Sequence, residues 1–148
     1  MMYKPQDIAN WFINRGIEDA NPLSQAEVQK LVYFAHAWYL AFKENPLIDE
    51  SFEAWAYGPV IPGLYQELKH YGRQAISRSV DPVDLDPDTE AILEEVWSKY
   101  GHLGASKLIG LTHKIGDPWD SVYEGGVMGI EIPDDLIKKC YRERLSNS

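Results

Sequence analysis

FEAWAYGPVIPGLY, residues 52–65, is the stretch from which the rest of the chain is read. Phe52, Ala54 and Ala56 share one face of an extended segment, and Glu53, Trp55 and Tyr57 share the other. Gly58-Pro59 ends that strand, because Pro59 lacks an N–H for the ladder and fixes its own φ. Pro59 and Pro62 then suit the first turn of a helix, where backbone N–H groups have no intrahelical partner. Ile61, Leu64, Tyr65, Leu68 and Tyr71 follow at helical spacing, and Gly72 is placed to end the helix. Trp55 and Tyr57 thus flank a proline-locked corner, with Trp55 expected in the core. The segment contains no catalytic set and reads as a folding and recognition element.

Working outward, Pro5 to Gly16 predicts a first helix with Ile8, Trp11 and Phe12 on one face and Gly16 as its stop. Ser24 and Glu27 have capping-box spacing ahead of a helix running to about Lys43. Val28, Leu31, Val32, Phe34, Ala35, Trp38, Tyr39 and Phe42 make this helix apolar nearly all round, so it belongs at the centre of the fold. Leu47-Ile48 is expected to pair with residues 52–57 as a hairpin across Asp49-Glu50-Ser51. Residues 75–86 read as an extended connection. Asp86 caps a helix opened by Pro87, with Ile92, Leu93, Val96, Trp97 and Tyr100 inward. A shorter helix spans Gly104 to His113, Trp119 to Glu124 adds a helical turn, and Gly125, Gly126 and Gly129 mark a flexible loop. Pro133 opens a last helix with Leu136, Ile137, Cys140 and Tyr141 inward, and the tail from Arg142 is expected to fray. The fold class is mainly α (α+β): one domain over residues 1–148, built around a central buried helix with a small antiparallel β-hairpin.

The net charge is −9, from 23 acids against 14 bases, which argues against nucleic acid as a direct ligand. No basic cluster stands out in the sequence. Asp81, Asp84, Asp86, Asp88, Glu90, Glu94 and Glu95 fall in a stretch without Lys or Arg. Such a run is either a solvated face or a docking surface for a basic partner. Cys140 is the single cysteine and cannot form an internal disulfide, which suits a reducing compartment. The N-terminal residues lack an apolar signal core, and the longest apolar run, residues 31–42, is shorter than the roughly 20 residues of a membrane span. The expected location is cytoplasmic.

Of the four histidines, His36, His70, His102 and His113, no two have the i, i+4 spacing of a helical zinc site. No metal and no cofactor are expected. His36, in an apolar helix, reads as a core residue bonded to a backbone carbonyl or a tyrosine. Thr112, His113 and Asp117 supply a hydroxyl, a base and a carboxylate, which opens the alternative of a small hydrolase or metal-dependent enzyme. Neighbours on a helix diverge, however, so Thr112 and His113 read better as groups closing a helix end. No phosphate-binding or nucleophile-elbow motif is present.

KLVYFAHAWYLA (30–41), FEAWAYGPVIPGLYQELKHYG (52–72) and LTHKIGDPWDSVY (111–123) together resemble the Panacea-domain proteins, and IEIPDDLIKKCY (130–141) fits the same pattern. That group includes SocA-type antitoxins and phage-associated GepA-like proteins. The resemblance implies a bacterial or phage-borne antitoxin that neutralises a cognate toxin by direct contact. It also implies a second role, as an adaptor delivering the toxin to an ATP-dependent protease. The motif positions carried here are Tyr33, Trp55, Tyr57, Gly58, Pro59, Tyr65, Thr112, His113, Pro118 and Trp119. Several of these are expected to hold the fold. The alternative within the same resemblance is a phage-associated protein that binds a host factor. Neither the class of toxin nor the oligomeric state follows from the sequence.

Overall fold

Ser24 decides where the central helix begins. In the computed structural model, which describes residues 2–147, the Ser24 hydroxyl accepts from the Glu27 N–H at 3.3 Å. The Glu27 carboxylate in turn accepts from the Ser24 N–H at 3.1 Å. This reciprocal cap satisfies two donors that the helix itself cannot. Helix α2 then runs Gln25–Lys43 and ends at Glu44, whose φ of 63° is left-handed. It packs against α1 (Pro5–Glu18), α4 (Pro87–Tyr100), α5 (Ala105–Thr112) and α7 (Asp134–Ser146). Every residue from Val28 to Ala37 is buried. Burial does not reach the C-terminal end, where Phe42 is 56% exposed.

The hairpin has a different second arm from the one expected. Strand β1 (Phe52–Trp55) turns at Ala56-Tyr57 and pairs antiparallel with β2 (Gly58–Val60), not with Leu47-Ile48. Pro59 therefore lies in a strand, and only Pro62 opens a helix, α3 (Pro62–Leu68). A proline is tolerated there because Ala54, directly opposite, turns its N–H the other way and donates to the Ile130 carbonyl at 2.8 Å. No ladder bond is required of Pro59, and β2 is an edge strand. A third strand, β3 (Glu131–Ile132), pairs with the other side of β1 and gives the order β2-β1-β3. Ile48 instead forms an isolated parallel bridge with Tyr3.

Two boundaries also move. Helix α1 continues past Gly16, where a β-carbon would stand 2.8 Å from the Asn21 carbonyl oxygen. Gly16 serves a close approach of the turn and does not stop the helix. Helix α7 continues past Arg142, because Arg142 donates to the Ala41 carbonyl and Arg144 pairs with Asp117, the residue preceding α6 (Pro118–Val122). No helix among the described residues is long and apolar enough to cross a membrane.

Candidate functional site

The tight turn of the hairpin returns the chain at Gly58 onto α2 and the end of α5. Gly58 has φ of 118°, a conformation that side chains oppose. Space is short as well. A β-carbon here would lie 2.7 Å from Lys30 Cε and 2.9 Å from Thr112 Oγ1. The motif residues assemble around this point. Thr112 closes α5 by donating its hydroxyl to the Ile109 carbonyl at 2.8 Å. The imidazole of His113 stacks on Trp119 at 3.7 Å, nearly parallel, and Trp119 stacks in turn on Tyr123. Trp119 Nε1 donates to the Trp55 carbonyl at 2.6 Å. Trp55 is half-buried and not in the core as expected, because it faces the open side of β1 and meets Tyr65 edge-on, while Tyr33 is buried in α2 against Phe52. Pro118 is buried at the first position of α6. Most of these positions therefore hold one corner of the fold. Tyr57, at the turn, is 74% exposed.

His113 and Asp117 are not joined by a hydrogen bond among the described residues. Asp117, 4% exposed, spends one carboxylate oxygen on Arg144. Burial, and then the nearby Lys30 charge, lower the His113 imidazole below its ordinary range. His36 differs from expectation in its partner, which is the Asp134 carboxylate at 2.8 Å. No group of three or more His, Cys, Asp or Glu among the described residues could hold a metal ion.

A cavity of about 740 Å³ opens beside the corner. Its walls include Trp55, Tyr65, Val60, Ile109 and Tyr123, and its rim includes Tyr57, Val127 and Met128. Gln25, Ala26, Gln29 and Lys30 reach it from one face of α2. Gln29 and Lys30 are each 2% exposed. Gln29 Oε1 accepts from the Ile61 N–H at 3.2 Å, and its Nε2 is buried without a partner. Burial lowers the Lys30 ammonium to about 8, and no ion pair or hydrogen bond among the described residues offsets that cost. Neither Gln29 nor Lys30 stands out in the sequence, although a signal is present. A helix apolar on every side must bury whatever polar residues interrupt it, and these two stand between Val28 and Leu31.

The acidic run is dispersed in its roles. Asp86 caps α4 through the Thr89 N–H and accepts from the Tyr3 hydroxyl, Asp88 pairs with Lys43, and Glu94 pairs with Arg15. Asp81, Asp84, Glu90 and Glu95 are exposed and have no such pairing among the described residues. A basic cluster invisible in the sequence also forms. Lys99, Lys107, Lys114 and Arg144 line one groove over Trp38, Leu103 and Leu111, together with Glu95. Two of these cations are already engaged, Lys99 over the Trp38 ring and Arg144 with Asp117.

Comparison with known proteins agrees with the motif cluster. The family described as "Antitoxin SocA-like, Panacea domain" matches residues 28–120, which include the α2 core, the hairpin and the Thr112–Trp119 segment. Antitoxin SocA of Caulobacter vibrioides (strain NA1000 / CB15N) is 32% identical over 151 residues, spanning 91% of this chain and 80% of that protein. No solved structure matches the chain.

Proposed function

Because the chain belongs to the SocA-like antitoxin family with its Panacea domain, we propose that it neutralises a cognate toxin by direct protein–protein contact. The docking face is the apolar rim beside the Gly58 corner. One observation carries this placement. Tyr57, Val127 and Met128 are 74%, 45% and 81% exposed, and all three border the same cavity. Large apolar side chains gathered in one exposed patch mark interaction surfaces, whereas scattered ones do not. The buried motif residues hold this rim in position, and the turn and the glycine loop touch the partner. Asp81, Asp84, Glu90 and Glu95 add electrostatic attraction toward a basic toxin.

The test is co-expression with the product of the adjacent gene. Wild type should restore growth, and Tyr57→Ala with Met128→Ala should abolish both rescue and co-purification without lowering the melting temperature. Toxin half-life in the same cells separates occlusion from delivery to an ATP-dependent protease. Stable toxin in a soluble complex means occlusion, whereas a shortened half-life means delivery. If no neighbour is toxic and the rim instead retains a host protein, the protein is a host-factor binder. The catalytic alternative has against it that one oxygen of Asp117 is taken by Arg144 and that no hydrogen bond among the described residues couples Asp117 to His113.

A further inference from the structure

We infer that the cavity beside the Gly58 corner takes a carboxylate, an Asp or Glu side chain carried between apolar residues on a segment of the bound partner. Three observations converge on this chemistry. Two neighbouring polar side chains of α2, Gln29 and Lys30, line the cavity while almost fully buried. Gln29 Nε2 has no acceptor among the described residues, and its orientation follows from the bond that its oxygen makes with the Ile61 N–H. The Lys30 ammonium likewise has no counter-charge among the described residues. Both residues line the cavity, and buried donors of this kind are normally paired, so two without a partner among the described residues point to an acceptor supplied from outside.

The charge of the lining narrows the acceptor. Among the described residues, Lys30 and Arg73 are the only charged ones lining the cavity, although acids outnumber bases in the chain by 23 to 14. A carboxylate offers two oxygens, enough for an ammonium and an amide N–H together. The remaining walls are apolar and aromatic, and they suit side chains flanking the acid. Tyr57, Val127 and Met128 continue this apolar surface outward past the cavity mouth. A chain segment covers such a continuation, and a small molecule held within the cavity does not. The site therefore adds a buried acid anchor to the apolar contacts of the rim.

This inference rests on the reading of the same face as the toxin-docking surface, and the two can be tested apart. A displayed library of random heptapeptides is panned on the full-length protein, with depletion on Lys30→Met. Methionine keeps most of the length of the side chain and removes its charge, and a thermal melt checks folding. Selected peptides are expected to carry Asp or Glu flanked by apolar residues. Changing that acid to its amide, or Lys30 to Met, should weaken binding by about 10- to 100-fold, the worth of one charge-assisted bond. The NMR titration of Lys30 Cε should move to higher pH when the peptide is bound. The amide substitution in the peptide keeps the test intact even if Lys30→Met fails to fold. Enrichment of neutral or basic peptides, or equal binding to Lys30→Met, overturns the inference. So does octanoate binding with the same Lys30 dependence while no peptide is selected, which would make this a small-molecule site. Growth rescue by wild type that is unchanged in Lys30→Met, with no acidic peptide selected, removes the carboxylate and leaves the docking face standing. Acidic peptides that need Lys30, with no toxic neighbour to rescue, support the cavity chemistry and overturn the toxin reading.

Discussion

Trp119 donates its indole N–H to the carbonyl oxygen of Trp55 at 2.6 Å, tying α6 to the end of β1. The bond spans 64 residues of sequence and joins two of the family blocks. Trp119 is also the middle ring of a stack with His113 and Tyr123. Trp119→Phe keeps a ring in the stack but leaves the Trp55 carbonyl without its partner. The expected cost is about 1–3 kcal/mol, read as a lower urea midpoint with an unchanged slope.

Gly58→Ala tests the corner from the other side. The substitution places a side chain at φ of 118° and within 2.7 Å of Lys30 Cε. Backbone strain and overpacking together should cost about 2–5 kcal/mol. Lys30 is a flexible side chain, so Lys30→Ala should relieve the overpacking part. The double variant should then be more stable than the sum of the two single changes allows, by about 0.5 kcal/mol or more. Simple additivity in denaturation would mean that the Lys30 side chain is not what Gly58 makes room for, leaving backbone conformation and the Thr112 hydroxyl as its reasons.

Lys30 should make stability depend on pH in the alkaline range. Its ammonium is lowered from 10.5 to about 8 by burial. Between those values the unfolded chain holds a proton that the folded chain has released, so stability rises with pH across that window. Below about 8 both states are protonated and the folded state bears the full desolvation cost, on the order of 3 kcal/mol. Lys30→Met removes the cost and should be more stable than wild type at pH 7. The difference should shrink as the pH approaches 10. Other groups titrate there too, so the measured quantity is wild type minus Lys30→Met in matched denaturation series.

Asp86 separates structural acids from docking acids. It caps α4 and accepts from Tyr3, and these bonds hold its carboxyl down at about 2. Its contribution is present above the ordinary carboxylate value of 3.8 and is lost as the pH falls toward 2. Asp86→Ala should cost about 1 kcal/mol, the usual worth of a helix cap. Reversing Asp81, Asp84, Glu90 and Glu95 to Lys should leave the melting temperature nearly unchanged. It should slow toxin association and flatten its salt dependence. Equal association rates for both proteins at two ionic strengths would identify the run as a solvated face.

The signals legible along the chain are local. The Ser24–Glu27 cap, the helix opened by Asp86-Pro87, the positions of α2 and α5 and the aromatic motif around Gly58 were all legible. Each depends on neighbours within one or two turns, through capping, φ restriction or apolar period. The tertiary structure decided what those signals leave open. Pro59 sits in a strand because Ala54 opposite turns its N–H toward Ile130, a pairing across the chain that no dipeptide encodes. Arg142 and Arg144 extend the last helix because Ala41 and Asp117 wait for them in space. The acidic run lost three of its members to Tyr3, Lys43 and Arg15, each from another element. Gln29 and Lys30 acquired their meaning only when the hairpin, α3 and the glycine loop closed an apolar cavity around them. Burial turns a side chain that water would satisfy into one that needs a partner, and burial belongs to the assembled fold.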